Sequence, residues 1–457
     1  MSARGTQAKP AFASRPAILG WLLFDWACQP FFTLVTTFVF APYFAAALAP
    51  DPVTGQSLWG YATAAAGFAL AILSPVLGSV ADATGPKKPW IAACGLVLFI
   101  ACFTLWYAAP GAPSAIPIAL FAFAFATVAV EVAAVFNNAM IPHLVPPERF
   151  GRLSGTGWAM GYLGGLVSLV IVLGFLAADA GSGKTVLGVT PPFGLDPAAR
   201  EGDRITGPFS AVWFLVFVLP LFLITPDVAR SKLALGEAVR QGLAQVRSTL
   251  TDARRHEGVL RFLVANMVYQ DALVALFAFG GIYGAGVFGW QATELGLFGI
   301  LLTITGTIGA LIGGRLDDRF GAKPVILGAI LTLALVCLGV LSLGREHILF
   351  VIPTAPAGEG LYGSAPEKLF VLLGLVIGAV AGPLQASSRS LLARLVPPSE
   401  AGRYFGLLAL SGKVTSFLAP LAVAVATAAF QTQAAGPAVL ILFLLAGFAL
   451  LSGVKRV

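Results

Sequence analysis

The sequence has 457 residues, of which 58% are hydrophobic and only 11% charged, and its net charge is +7. Soluble domains carry about 25% charged residues, so this composition excludes an ordinary soluble domain and favours a membrane protein. The positive charge does not indicate a nucleic-acid partner, because the basic residues lie in short segments between apolar runs, as in the cytoplasmic loops of membrane proteins.

Twelve apolar runs follow one another along the chain. A membrane-spanning helix needs about 20 mostly apolar residues, and each run is near that length or longer. Together they predict an all-α polytopic membrane protein with twelve transmembrane helices. The first run is too long for a signal peptide, so we expect it to remain as a helix. The runs cover residues 17–48, 58–81, 89–109, 115–140, 153–178, 208–226, 258–288, 293–315, 324–344, 368–392, 403–430 and 434–454.

The Lys and Arg residues are distributed unevenly between the two sides of the membrane. With the N-terminus placed inside, the inside segments hold 22 of them and the outside loops hold 5. This bias is the positive-inside signal, so we expect both termini in the cytoplasm. Arg is more frequent than Lys, as in GC-rich bacteria. The first expectation for the location is therefore a bacterial inner (plasma) membrane, and the second is a vacuolar membrane.

The segment between the sixth and seventh runs divides the chain into two halves. We expect an N-terminal six-helix bundle over 1–226, a cytoplasmic linker over 227–257 and a C-terminal six-helix bundle over 258–457. An apolar stripe at helical spacing predicts an amphipathic helix in the linker, lying either on the inner membrane surface or under the bundle. The stripe consists of Leu235, Val239, Leu243, Val246 and Leu250.

Two short motifs occur once in each half. The first reads G-x-x-x-D-x-x-G-x-K and follows the second and eighth runs. The second is Leu-Val-Pro-Pro and a following Gly-Arg pair, after the fourth and tenth runs. Motifs repeated in the same order predict two related halves, as in secondary transporters. The motif residues are Gly78, Asp82, Gly85 and Lys87, with Gly314, Asp318, Gly321 and Lys323 for the first motif, and Arg152 with Arg403 for the second.

The G-x-x-x-D-x-x-G-x-K turns resemble the loop motif of the major facilitator superfamily. The resemblance implies the major facilitator fold, in which Asp82 and Asp318 would hold an inner gate closed at the ends of the eleventh and fifth helices. Phe24-Asp25-Trp26-Ala27 and Phe40-Ala-Pro-Tyr-Phe44 are similar to the start of a narrower branch. That branch contains vacuolar amino-acid effluxers linked to autophagy in yeast, together with bacterial relatives. It usually continues Asn-Ser-Ala-Tyr after Ala27, where this chain has Cys-Gln-Pro-Phe.

Four charged residues fall inside predicted helices: Asp25, Glu131, Asp271 and Lys413. A charge at the bilayer centre costs about 2.5–3.5 kcal/mol on insertion scales, so these residues should face a cavity or a partner. We hypothesise that one of the three acids carries a proton during transport. The alternative is structural, with an ion pair to Lys413 or hydrogen bonds that hold broken helices. The full set of proton-coupling or substrate candidates is Asp25, Gln29, Glu131, Asn137, Asn138, Asp271, Gln385, Arg389 and Lys413.

No pattern in the sequence indicates an enzyme, a cofactor or a metal site. Gly181–Thr185 lacks the first Gly of a phosphate-binding loop, and the three His residues are far apart.

We therefore expect a secondary active transporter of a small solute, by alternating access and with proton coupling as one option. The family resemblance implies amino acids or related zwitterions, carried as efflux. The alternatives are a drug or metabolite exporter, and a lipid-handling or scaffold protein without a solute cycle. We expect a monomer surrounded by membrane lipid.

Overall fold

The computed structural model describes residues 12–50, 52–178, 181–231, 236–237, 239–241, 244, 257–290, 292–354, 360–415, 418–430 and 435–454. Within them the chain is mostly helical. The first six long helices are α1 (Arg15–Pro30, continued by wider turns over Phe31–Phe38 and Phe44–Leu48), α2 (Pro52–Thr84), α3 (Lys88–Thr104), α4 (Ala115–Ala139), α5 (Phe150–Ile171) and α6 (Thr206–Ile224). The others are α7 (Glu257–Tyr283), α8 (Ala292–Phe320), α9 (Ala322–Leu341), α10 (Ala365–Leu395), α11a (Ala401–Val414), α11b (Leu418–Phe430) and α12 (Ala435–Ser452). One short hairpin, β1 (His347–Ile348) and β2 (Ile352–Pro353), lies between α9 and α10.

Eleven helices of the described part are long and apolar enough to cross a membrane. The eleventh predicted run is different, because two shorter helices, α11a and α11b, are described there with Thr415 between them. The backbone N–H of Leu418 donates to the Thr415 carbonyl at 2.7 Å. Together these segments cover every run that the sequence predicts.

Local signals explain where several helices begin and end. The Ser14 hydroxyl accepts a hydrogen bond from the Ala17 N–H at the start of α1, and Ser364 with Glu367 forms a capping box at the start of α10. Gly85 and Gly321 follow α2 and α8 with φ of +96° and +89°. Only glycine adopts this left-handed conformation without cost, which explains why the repeated motif has glycine there.

The two halves meet along α2 with α11a and along α5 with α8 and α10. Small residues make these crossings possible, as in many membrane helix pairs. A Cβ atom on Gly78 would lie 2.4 Å from the Gly402 carbonyl oxygen, and one on Gly155 would lie 2.4 Å from the Ala310 carbonyl oxygen. The backbones therefore approach one another more closely than any larger residue permits.

The start of the predicted linker is attached to the turn between α2 and α3. The Asp227 carboxylate accepts hydrogen bonds from the Lys87 and Lys88 N–H groups at 3.0 and 2.8 Å, and Ser231 N–H donates to the Thr84 carbonyl. Of the predicted amphipathic stripe, only the exposed Val239 belongs to the described residues. The other four positions, Leu235, Leu243, Val246 and Leu250, lie outside them.

We predict that Gly309→Ala lowers the melting temperature of the purified protein. Its Cβ would lie 1.9 Å from the Ala379 carbonyl oxygen, so α8 and α10 would have to separate. Overpacking of this kind costs about 1–3 kcal/mol. The matched control is Gly328→Ala on α9, where a Cβ meets no atom within 4 Å. The control should leave the melting temperature unchanged or raise it, since Ala favours a helix over Gly. Equal effects of the two variants would contradict the close-packing argument.

Candidate functional site

Arg389 of α10 is the centre of a buried polar cluster between the halves. Its guanidinium donates to Asp25 of α1 at 3.2 Å, to Asn138 of α4 at 3.0 Å, and to the hydroxyl and carbonyl oxygens of Ser154 of α5 at 2.7 and 2.6 Å. We call these four residues the central cluster. Three helices therefore contribute acceptors to one cation on a fourth, and α1 and α10 are joined by an ion pair.

Two further residues shape the central cluster. The guanidinium carbon of Arg389 lies 5.3 Å from the centre of the Trp21 ring, whose Nε1–H donates to the Asn137 carbonyl at 2.8 Å. A Cβ on Gly157 would lie 2.4 Å from Asp25 Oδ2 and 2.7 Å from Arg389 Nη2. Glycine at position 157 thus leaves the space in which the two charges meet.

The structure brings together only some of the predicted candidates. Asp25, Asn138 and Arg389 meet in the central cluster, whereas the Asn137 carbonyl accepts a hydrogen bond from Trp21 beside it. Its side-chain amide is fully buried, with no hydrogen-bond partner among the described residues. Glu131 is half-buried on α4 and has an interaction partner. The side chain of Lys413 lies outside the described part of the chain.

Gln385 and Tyr162 lie between the central cluster and a large cavity. Gln385 Nε2 donates to the Tyr162 hydroxyl at 3.3 Å, one helical turn before Arg389. Gln29 lies beside α5, where a Cβ on Gly161 would be 3.3 Å from its Oε1 atom. The cavity has a volume of about 640 Å³, which is within the range of small-molecule sites. Most of its lining is apolar and includes Phe38, Leu276, Phe277, Phe298, Leu302 and Phe370.

Asp271 of α7 is separate from the central cluster. It is 2% exposed, and its Oδ1 atom has no hydrogen-bond partner among the described residues. The Thr415 hydroxyl lies beside its carboxyl group. Two residues before it, Tyr269 hydrogen bonds with Ser388 of α10 at 2.7 Å.

The two motif aspartates contact helix N-termini across the halves. Asp82 accepts hydrogen bonds from the Gly402 and Arg403 N–H groups at 3.1 and 2.8 Å, and Asp318 accepts one from the Arg152 N–H at 3.0 Å. A carboxylate at a helix N-terminus is favoured by the helix dipole. We call the two contacts the latches and their end of the bundle the motif end.

The two latches are not identical. Lys87 forms an ion pair with Asp82 at 2.7 Å, but the corresponding Lys323 donates to backbone carbonyls near the end of α12, including that of Ser452 at 2.6 Å. Sequence reasoning also missed Asp317, which is fully buried and accepts from Ser390 and Arg394. Its signal was the extra Asp directly before Asp318 in the eighth-helix motif, where the first-half motif has Ala81.

No group of three or more His, Cys, Asp or Glu residues that could hold a metal ion occurs in the described residues. The four cysteines are unpaired, and three of them are buried. The polar groups that the structure places together are thus suited to binding and charge compensation.

Comparison with known proteins gives a consistent result. Residues 147–456 match the family described as "Vacuole effluxer Atg22 like". The chain is 26% identical over 421 residues to the uncharacterized MFS-type transporter YxiO of Bacillus subtilis, covering 89% of this chain and 87% of that protein. It is 24% identical over 279 residues to autophagy-related protein 22 of Cryptococcus neoformans, covering 60% of this chain. The chain spans 44% of the length of that fungal protein.

Solved structures show the same fold. The human organic anion transporter MFSD10 matches with a TM-score of 0.70 at 16% identity, over 96% of this chain and 99% of that chain. The fucose:proton symporter FucP of E. coli matches with a TM-score of 0.69 at 15% identity, over 97% of this chain and 98% of that chain. The predicted membrane fold of twelve transmembrane helices is thereby confirmed. All of these similar structures are of transporters, not enzymes.

We predict that Asp82→Ala and Asp318→Ala open the motif end more often. Losing an N-terminal cap costs about 0.5–2 kcal/mol, equivalent to an increase of about 2- to 30-fold in the open population. The measurement is the rate at which a maleimide labels Ser74→Cys, a fully buried position on α2 beside α11a. Labelling of the native cysteines is subtracted.

The matched control for the latches is Asp227→Ala, which removes a cap that joins elements of the same half. It should leave the labelling rate unchanged. If Asp227→Ala accelerates labelling as much as the latch variants do, the two latches are not specific contacts between the halves.

We predict that Arg389→Ala destabilises the protein by about 3 kcal/mol, because it leaves Asp25 in the bundle without its cation. This is the low end of the usual range, since the Asp25 side chain keeps 20% exposure. Adding Asp25→Asn should recover part of the loss. Denaturant unfolding of the two single variants and the double variant measures the coupling. Strictly additive effects would show that the pair contributes no interaction.

Proposed function

Because the chain belongs to the family of vacuole effluxers like Atg22, within the major facilitator superfamily, we propose that it carries a zwitterionic small solute across the membrane by alternating access. The first candidates are amino acids. The observation that carries this proposal is the Asp25–Arg389 ion pair, which joins the two halves beneath a solute-sized cavity. The chain is an integral membrane protein, and we place the motif end in the cytoplasm on the basis of the Lys and Arg distribution.

The central cluster fits the two ends of a zwitterion. The Arg389 guanidinium is a planar fork of donors that suits a carboxylate, and Asp25 offers an acceptor to an ammonium group. In the state described here the two side chains neutralise each other. A solute carboxylate and ammonium would take over these contacts, so that no charge is left unpaired at any step. The half-exposed Gln29 and Gln385 would contribute polar contacts beside them.

The latches support alternating access between two sides. The motif end is closed by Asp82 and Asp318, while the cavity lies on the other side of Gln385 and Tyr162. Rotation of one half against the other would break the latches and close the cavity. The division into an N-terminal bundle over 1–226, a linker over 227–257 and a C-terminal bundle over 258–457 would provide the two moving bodies.

A second candidate function is supported by the lining of the cavity. Aromatic and aliphatic side chains dominate it, which would suit an exporter of apolar drugs or metabolites better than a carrier of small polar amino acids. In that case Asp25 and Arg389 would form a permanent structural pair. The solute would then bind above Tyr162 without contacting either charge.

We predict that an amino acid raises the melting temperature of the purified protein in a screen of amino acids, dipeptides and apolar metabolites. A ligand at 100 times its Kd stabilises the folded state by about 2.7 kcal/mol. Asp25→Asn should abolish the shift, because it removes the acceptor charge for the ammonium group. The control variant Asp227→Asn should keep the shift in melting temperature, because Asp227 lies outside the central cluster. A shift produced only by apolar metabolites, and retained in Asp25→Asn, would contradict the zwitterion proposal and support the exporter.

A further inference from the structure

The contact surface between α7 and α11a is polar although it lies inside the membrane bundle. Asn266 Nδ2 donates to Ser411 Oγ at 3.4 Å, and about a turn further along Asp271 lies beside Thr415. Asp271 and Thr415 are 2% and 9% exposed. Neither Asp271 Oδ1 nor Thr415 Oγ1 has a hydrogen-bond partner among the described residues. We call these four residues the α7–α11 seam.

A buried carboxylate without a partner is unfavourable in a protein interior. It is stabilised by a cation, by hydrogen bonds or by a proton of its own. Asp25, by contrast, already has the Arg389 guanidinium beside it. Of the three acids predicted within the membrane, Asp271 is the one with a buried carboxylate oxygen that has no hydrogen-bond partner among the described residues.

The neighbouring elements supply few charged groups to Asp271. α11b and α12 contain no titratable side chain, and those of α10 are Glu367, Lys368, Arg389 and Arg394. Arg389 and Arg394 are engaged with Asp25 and Asp317. α11a contains Arg403 and Tyr404 at its start, and Lys413. The side chain of Lys413 lies outside the described part of the chain.

We propose that Asp271 is the proton-binding group of this transporter, and that the α7–α11 seam is a site for the coupling ion distinct from the central cluster. During the transport cycle Asp271 binds a proton and later releases it. The proton reaches it from the cavity, whose lining includes Leu276, five residues or about 7.5 Å further along α7. When the halves rotate and the motif end opens, the O–H bond of the carboxyl group breaks and the proton leaves to water on that side.

A hydrogen bond between α7 and α10 joins a residue near the seam to a residue beside the central cluster. Tyr269, two residues before Asp271, bonds to Ser388 at 2.7 Å, and Ser388 precedes Arg389 in α10. Ionisation of Asp271 would draw water or a cation into the seam and separate α7 from its neighbours. The Tyr269–Ser388 contact would transmit that movement to the segment of α10 that carries Arg389. Proton and solute therefore occupy different residues and influence each other through helix position.

The test measures the proton directly by infrared spectroscopy of the full-length protein in lipid, with protons as the only ligand. We expect a band of a protonated carboxyl group that is present at acidic pH, weakens as the pH rises and is absent from Asp271→Asn. Asp25→Asn and Asp82→Asn should keep it. If the band survives in Asp271→Asn, or is lost in Asp25→Asn instead, the assignment is wrong.

A second measurement, made with and without sodium, distinguishes a proton from a metal cation as the ion that Asp271 binds. Melting curves of wild type and Asp271→Asn in sodium chloride and in choline chloride should coincide for each protein. A sodium-dependent rise in the wild type that disappears in Asp271→Asn, with no carboxyl band, would overturn the proton assignment in favour of sodium.

The role of the site rests on the transport function proposed above, but the infrared band does not. For a solute identified in the melting screen, Asp271→Asn in liposomes should keep solute exchange and lose accumulation driven by a pH gradient. The Asp25→Asn variant should lose both solute exchange and accumulation driven by a pH gradient. Loss of exchange in Asp271→Asn would contradict a separate proton site. A missing solute response in the wild type would refute the transport proposal and leave the infrared result to stand alone.

Discussion

A guanidinium inside a membrane bundle cannot be left without acceptors, and the arrangement of this molecule depends on how Arg389 is satisfied. Transfer of an isolated charge into a low-dielectric medium is far more costly than a single hydrogen bond can offset. Arg389 therefore collects acceptors from α1, α4 and α5. The Arg389 guanidinium must reach the Asp25 carboxylate, and this also explains the glycine at position 157. Any side chain there would occupy the space between Arg389 and Asp25. One buried cation thus specifies how α10 is positioned against the first half.

The latches add a second constraint that is independent of the first. They use backbone N–H groups of α5 and α11a as donors, so their geometry depends on where those helices begin. Because each latch crosses between the halves, any rotation of one half away from the other at the motif end would have to break both. The second-half latch has additional support from Arg394, which pairs with Asp317 and donates to the Pro147 carbonyl at 3.2 Å. The two sides of the motif end therefore contribute unequally to its closure.

Local features of this chain were predictable from its sequence, and contacts between distant residues were not. The twelve apolar runs and the turns at Gly85 and Gly321 are encoded within short windows, so composition and spacing predict them. Asp25 and Arg389 are 364 residues apart, and each was a candidate, but no periodicity indicates that they pair. The sequence reading instead named Lys413 as a partner for the acids. Ser154 and Trp21 gave no signal, because a serine and a tryptophan in an apolar helix are ordinary. Their importance arises only from where α1 and α5 are packed.

The distribution of charge between the two sites has a consequence for energetics. A zwitterion that replaces the Asp25–Arg389 contacts has no net charge, so its own movement would not depend on the membrane potential. A proton carried on Asp271, or the carboxylate returning without it, moves one charge per cycle. One elementary charge is worth about 2.3 kcal/mol per 100 mV. Both the pH gradient and the potential would then act through Asp271 alone, while Arg389 and Asp25 select the solute. Separating the two proposed tasks would allow the central cluster to stay neutral throughout the cycle, which a membrane interior strongly favours.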